Sequence, residues 1–208
     1  SFQTWFKSSS DGYYKITEYV NGLFDMESND IRGLNYTYNA DGYIWKYLGV
    51  DKTTARAASE NDQNYIIYRL ADVLLMKAEA LIMQGHNEDA ADLIDRTRER
   101  AGLGETTLSD DRMVMLETLL VERQKEFFGE GKNWFDLLRI GLRSEQLNDT
   151  QYKTLFVEQA LKAVGASRQS LGRATLANSG SWYLPYSEDE LSKNPLLEQS
   201  DYYQSISN

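Results

Sequence analysis

Between Tyr65 and Gly102 the apolar residues recur at intervals of three and four. This run constrains the chain more than any other feature. Ile67, Leu70, Ala71, Leu74, Ala78, Leu81 and Ile82 fall on one face of a helix of about five turns. Gly85 is its natural stop. Asn87 is placed to cap a second helix, with Glu88 and Asp89 in the electropositive first turn. Ala90, Ile94, Thr97 and Ala101 make the inner face of that helix, and Gly102 ends it. So short a connection makes the two helices antiparallel neighbours. Small residues at 71, 78, 80, 90, 91 and 101 let the axes approach closely.

This pair is similar to one tetratricopeptide unit, and a single unit does not make a repeat array. Downstream, Ser109, Asp110 and Asp111 predict the cap of a third helix, whose face is Met113, Leu116, Leu120 and Phe127. Residues 134–140 predict a short fourth helix stopped by Gly141. Residues 149–164 predict a fifth, with Leu155, Phe156, Ala160 and Leu161 facing inward. Residues 165–208, which hold both prolines, read as an irregular tail. Residues 1–60 differ in kind, holding seven of the 14 tyrosines and two of the four tryptophans among Gly, Asn, Asp and Ser. The β-favouring run 13–20 and the turn 39–42, flanked by aromatic residues, predict loops with one short β-hairpin. The chain reads as a single, mainly α domain over 1–208. It has an aromatic-rich loop region (1–60), a helical core (61–164) and an irregular tail (165–208).

Composition removes several classes of function. Against 32 Asp+Glu there are 22 Lys+Arg, a net charge of −10, and no basic cluster, which sets nucleic acid aside. With no cysteine there are no disulfides, thiolate metal sites or cysteine nucleophiles. The single histidine, His86, leaves no His-pair metal motif and reads as an exposed turn residue. No metal or cofactor site is read from the sequence. No apolar run approaches the ~18 residues that would span a bilayer, and the N-terminus has no signal-peptide organisation.

Three blocks, in matching order and spacing, carry a family resemblance. The first is the Tyr68-Arg-Leu-Ala-Asp-Val-Leu-Leu-Met-Lys-Ala-Glu-Ala80 segment, followed by Ala90, Ala91, Ile94, Arg98 and Arg100-Ala-Gly102. The second runs from Glu122-Arg-Gln-Lys-Glu-Phe-Phe through Asn133-Trp-Phe-Asp136 to Arg139 and Gly141. The third comprises Leu184-Pro185, Glu190-Leu191 and the segment from Asn194 to Gln199. Together they resemble the SusD/RagB family of outer-membrane nutrient-binding lipoproteins. Asn133 departs from the family's usual arginine, Tyr186 and Ser187 replace an Ile-Pro, and Ser200-Asp201 replaces Asn-Pro/Gly. The resemblance covers 30–32 and 43–208. It implies that this chain is the C-terminal portion, the family's N-terminal half and acylated cysteine being absent from it. It further implies a cell-surface, outer-membrane protein that is not an enzyme. Such a protein holds oligosaccharide for a SusC-like TonB-dependent transporter and meets the membrane only through a lipid anchor upstream. Peptide binding, or a purely structural interaction domain on the transporter, are the alternatives.

Each candidate residue has a structural and a functional reading. Glu122 and Glu126 are an i,i+4 pair on one helix face, which is not the opposed pair across a cleft that glycoside hydrolysis needs. Glu122, Arg123, Asp136 and Arg139 are read as ion pairs that lock the third and fourth helices to the first through Arg69. Glu79 and Trp134 are read as structural positions of the same blocks. Arg96, Arg98 and Arg100 alternate with Asp92, Asp95 and Glu99 and read as a solvated face. Loop aromatics can stack on the C–H face of a sugar while nearby Asn and Asp take its hydroxyls. Trp5, Tyr13, Tyr14 and Trp45 are the candidate ligand contacts, and the charge of −10 favours a neutral oligosaccharide.

Overall fold

The computed structural model describes residues 15–57 and 64–206. Among these it holds nine α-helices, one 3-10 turn and only isolated β-bridges. The chain divides into two compact units, residues 1–137 and 138–208.

The first unit is built on the predicted helix pair. We number the helices in chain order, with α1 spanning Glu18–Asp25, α2 Leu70–Gln84, α3 Asn87–Arg100 and α4 Arg112–Glu126. α2, α3 and α4 pack against one another, and α1 packs on α4. Gly85 closes α2 in the left-handed region, at φ 82°, with its N–H on the Ile82 carbonyl. The predicted α3 face, Ala90, Ile94, Thr97 and Ala101, is buried throughout. On α2 the buried stripe is Asp72, Leu75, Ala78, Glu79 and Ile82. It is rotated from the predicted one, and Ile67, Leu70, Val73 and Met76 face outward. Asn87 begins α3 rather than capping it, and its amide instead donates to the Ser109 carbonyl at 2.8 Å. Asp111 caps α4 as predicted, accepting from the Met113 N–H.

Residues 15–57 form an irregular arm. Part of the β-favouring run is the helix α1, which buries Val20, Leu23 and Phe24. The predicted hairpin reduces to a single antiparallel bridge, Tyr38 with Ile44, around the turn closed by the Asn39 and Tyr43 backbone bond. Tyr38, Tyr43, Trp45, Tyr47 and Leu48 are buried, Tyr38 in a cluster with Val20 and Phe24, and Tyr47 stacked on Tyr65 beyond the arm.

Helix α5, Asn133–Leu147, begins in the first unit and ends in the second. It runs straight through Gly141, where a stop was predicted. A Cβ at 141 would come within 3.0 Å of both Phe156 and Trp182, so this glycine serves close packing rather than termination. α6 (Thr150–Leu161) and α7 (Ala166–Leu176) pack together, and the Phe156 and Trp182 rings meet at 4.3 Å. The tail predicted as irregular holds α7, a 3-10 turn, α8 (Glu188–Lys193) and α9 (Asp201–Ile206). Ser187 caps α8 by accepting from the Glu190 N–H, the spacing of a capping box.

Candidate functional site

From Glu122 to Phe127 every residue of the α4 end is buried, charged residues included. Buried charges must find partners, and here many of them lie on the arm. Arg32 donates Nη1 to Glu122 at 2.7 Å and to Glu126 at 3.0 Å, while its Nε and Nη2 fork onto Asp30, each at 2.9 Å. Lys125 reaches Glu27 at 2.6 Å and Asp30 at 3.4 Å. Lys46 donates to Glu130 at 2.5 Å and to the carbonyls of Glu126 and Phe128. Arg69 binds Glu126 and Glu130 and stands 4.7 Å over the Phe127 ring. A second knot joins Arg123 to Asp136 through two 2.8 Å bonds and to Asp72 at 2.9 Å, with Lys132 on Asp72 at 2.6 Å.

Burial drives the Glu122 carboxyl above its ordinary value, with Arg32 and Arg98 opposing only in part. Burial acts the same way on Glu126, but bonds and charge from Arg69, with Arg100 and Arg32, outweigh it and hold that carboxyl low. Asp30 and Glu27 are likewise held low against burial, by Arg32 and by Arg98 with Lys125.

Arg123 is bonded to Asp136, and the other pairings differ from the sequence reading. Glu122 pairs with Arg32 of the arm, not with Arg69. Arg98 and Arg100, read as a solvated face, reach Glu27 and Glu126. Glu79 is buried on α2, and Arg139 is half-buried on α5. Trp134, read as a structural position, is 40% exposed, and Phe135 beside it is 66% exposed. Trp45 is also corrected. It is 6% exposed, its indole N–H donates to the Asp51 carbonyl at 2.7 Å, and its ring closes against Gly49, so it is arm core and not a platform. Trp5, Tyr13 and Tyr14 lie outside the described residues.

A cleft of about 410 Å3 opens on the arm, between the C-terminal end of α1 and the turn that follows. Asp25, Ser28, Asn29, Leu34, Tyr36 and Lys52 line it. Sequence reasoning missed it, although Tyr36 was among the aromatic residues flanking the predicted turn. No group of His, Asp and Glu arranged to hold a metal ion occurs among the described residues.

Fold and site define a helical module carrying an irregular arm on a buried ionic clamp. The SusD family profile matches residues 1–203. The chain belongs to the SusD family. SusD-like protein P38 of Formosa agariphila is 37% identical over 89 residues, 39% of this chain and 18% of that protein. SusD-like protein P25 of the same organism is 29% identical over 171 residues, 81% of this chain and 28% of that one. A SusD superfamily structure from Bacteroides fragilis superposes at a TM-score of 0.65 with 24% identity, covering 97% of this chain and 43% of that one. One from Bacteroides thetaiotaomicron gives 0.65 and 20%, covering 98% and 42%. The chain thus spans less than half the length of these solved relatives, and less of the curated ones.

Proposed function

We propose that this chain is part of a cell-surface module that binds a neutral oligosaccharide, without catalysis, for import through a SusC-like TonB-dependent outer-membrane transporter. The family match over residues 1–203 carries the reading. The site agrees with binding rather than hydrolysis. Glu122 and Glu126 share the Arg32 guanidinium inside the protein, with no cleft between them. Glycoside hydrolysis needs two carboxyls on opposite sides of a bound sugar. Among the described residues no helix is long and apolar enough to cross a membrane; attachment through a lipid anchor upstream is part of the proposal and rests on the family match. Trp5, Tyr13 and Tyr14 are proposed as further ligand contacts. Calorimetry against neutral gluco-, galacto-, manno- and xylo-oligosaccharides tests this. Heat with one of them is expected, and heat with peptides alone overturns it.

A second reading has its own observation. Leu70, Val73 and Met76 present an outward apolar stripe along α2, with Ile67 and Tyr68 exposed in the segment that leads into it. Such a face fits a protein partner, and it favours a structural interaction role alongside sugar binding.

A further inference from the structure

Of the aromatic rings described in the arm, Phe24, Tyr38, Tyr43, Trp45 and Tyr47 are buried and Tyr19 is half-buried. Tyr36 alone is exposed, at 45%, and Tyr36 lines the 410 Å3 cleft. That volume lies within the ~300–1,000 Å3 of small-molecule sites.

The backbone beneath Tyr36 is fixed. Its N–H and that of Thr37 donate to the Gly33 carbonyl at 3.2 and 3.0 Å, and the Asn35 N–H donates to the Tyr38 carbonyl at 2.6 Å. Asn35 takes the left-handed region at φ 66°, which asparagine tolerates. Tyr38 anchors the turn against Phe24, ring to ring at 5.9 Å. The cleft floor is equally set, because Asp30 is forked by Arg32. The rim is the opposite. The side chains of Asp25, Ser28, Asn29 and Lys52 have no hydrogen-bond or ion-pair partner among the described residues. The Lys52 ammonium stands 4.7 Å over the Tyr36 ring.

We propose that this cleft is a subsite for one uncharged sugar ring. It stacks on Tyr36, taking the place of the Lys52 ammonium over the ring, and presents hydroxyls to Asp25, Ser28, Asn29 and the displaced ammonium. The proposal rests on the glycan-binding reading and narrows it to named residues. An aromatic face offers the apolar surface that a pyranose C–H face needs, and the rim supplies both donors and acceptors. The opposite charges of the rim, Asp25 and Lys52, cancel, and the chain's −10 disfavours a polyanion at long range. A platform already rigid in the free protein loses little freedom on binding.

The test is calorimetry on the 208-residue chain and on its Tyr36→Ala, Tyr36→Phe, Asn29→Ala and Trp134→Ala variants. The probes are the same neutral oligosaccharides and polygalacturonate. The expected result is that Tyr36→Ala weakens binding of the responding neutral sugar by roughly tenfold or more. Asn29→Ala weakens it less. Tyr36→Phe keeps it, because the ring remains. Trp134→Ala, an exposed aromatic outside the cleft, leaves it unchanged. Unaltered affinity in both Tyr36→Ala and Asn29→Ala overturns the subsite while the glycan reading stands. Preference for polygalacturonate overturns the neutral class. Silence of the parent chain with every sugar overturns the reading and the subsite together.

Discussion

The α2–α3 pair and the arm of residues 15–57 are held in place by different forces. The pair buries Leu75, Ala78, Ile82, Ala90 and Ile94 between helices adjacent in sequence. Its interface is apolar and local. The arm has little regular structure, and beside the packing of Val20, Phe24 and Tyr38 on Phe128 it is fastened to α4 by charge, through residues far apart in the chain. Arg32 meets Glu122 and Glu126 across 90 and 94 positions, and Lys46 meets Glu130 across 84. Apolar burial tolerates imperfect fit at a graded cost. A buried ion pair does not, because removing one partner strands the other in a poor solvent. The helical pair should therefore yield gradually to mutation, and the arm should yield abruptly.

Arg32→Ala is the sharpest way to break that contrast. It leaves Asp30, Glu122 and Glu126 buried together with one cation fewer, and the expected loss is about 3–5 kcal/mol in urea unfolding. A loss under about 1 kcal/mol, the range of exposed pairs, would show the clamp to be no different from surface charge. Ile94→Ala is its counterpart in the pair. The residue is completely buried, and truncation is expected to cost about 2–5 kcal/mol, by the same amount at neutral and acid pH.

Acid should separate the ionic contacts, those of the arm and that of Asp72 on α2, from the apolar contacts of the pair without mutation. Glu27, Asp30, Asp72 and Glu126 are held below their ordinary values in the folded state. Each contributes stability that is complete above its unfolded value, 4.5 for Glu and 3.8 for Asp, and is lost as pH falls through the depressed folded value. Glu122 has the opposite sign. Its folded value is raised, so its penalty is absent below 4.5 and develops as pH rises through that folded value. Asp51 and Glu158, both exposed, are held low as well, so six carboxyls act against one, and urea midpoints should fall as pH drops below about 4.5. Arg32→Ala should flatten that dependence, and Ile94→Ala should leave it intact.

The same contrast explains what could be read from the sequence. The helix pair, the Gly85 stop and the Asp111 cap are local signals, and each is where periodicity and capping chemistry place it. The arm is not local. Nothing near Arg32 in the sequence says that its partner is Glu122; the sequence points to Arg69, which the fold places on Glu126 and Glu130. The aromatic richness of residues 1–60 was visible. Which rings turn inward was not, because that depends on long-range closure. Trp45 fills the arm's core, and Tyr36, which the sequence did not single out, lines the cleft. Gly141 misled for a related reason, since its role is set by Phe156 and Trp182 rather than by its own helix.

Gly85→Ala sharpens the account of the pair at smaller scale. A Cβ there meets nothing within 4 Å, so the whole cost is the left-handed backbone at φ 82°, and about 1 kcal/mol is expected in urea unfolding. A larger loss would mean that the α2–α3 turn depends on contacts beyond its backbone.

The smallest effect is expected on the other side of α2. Leu70 and Val73 are 67% and 54% exposed, although they are as apolar as the residues that fill the core. Periodicity alone placed Leu70 inside. The fold instead turns Asp72 and Glu79 inward, so the apolar stripe faces out. If burial and not composition fixes the energetics, the Leu70→Ser/Val73→Ser pair should change stability by no more than about 0.5 kcal/mol per site. Ile94→Ala, on the partner helix, should cost several times that. The double variant also separates the two functional readings. A protein partner seated on α2 loses its apolar footing, whereas a sugar stacked on Tyr36 keeps every contact, so measuring both interactions on this one variant shows which surface each uses.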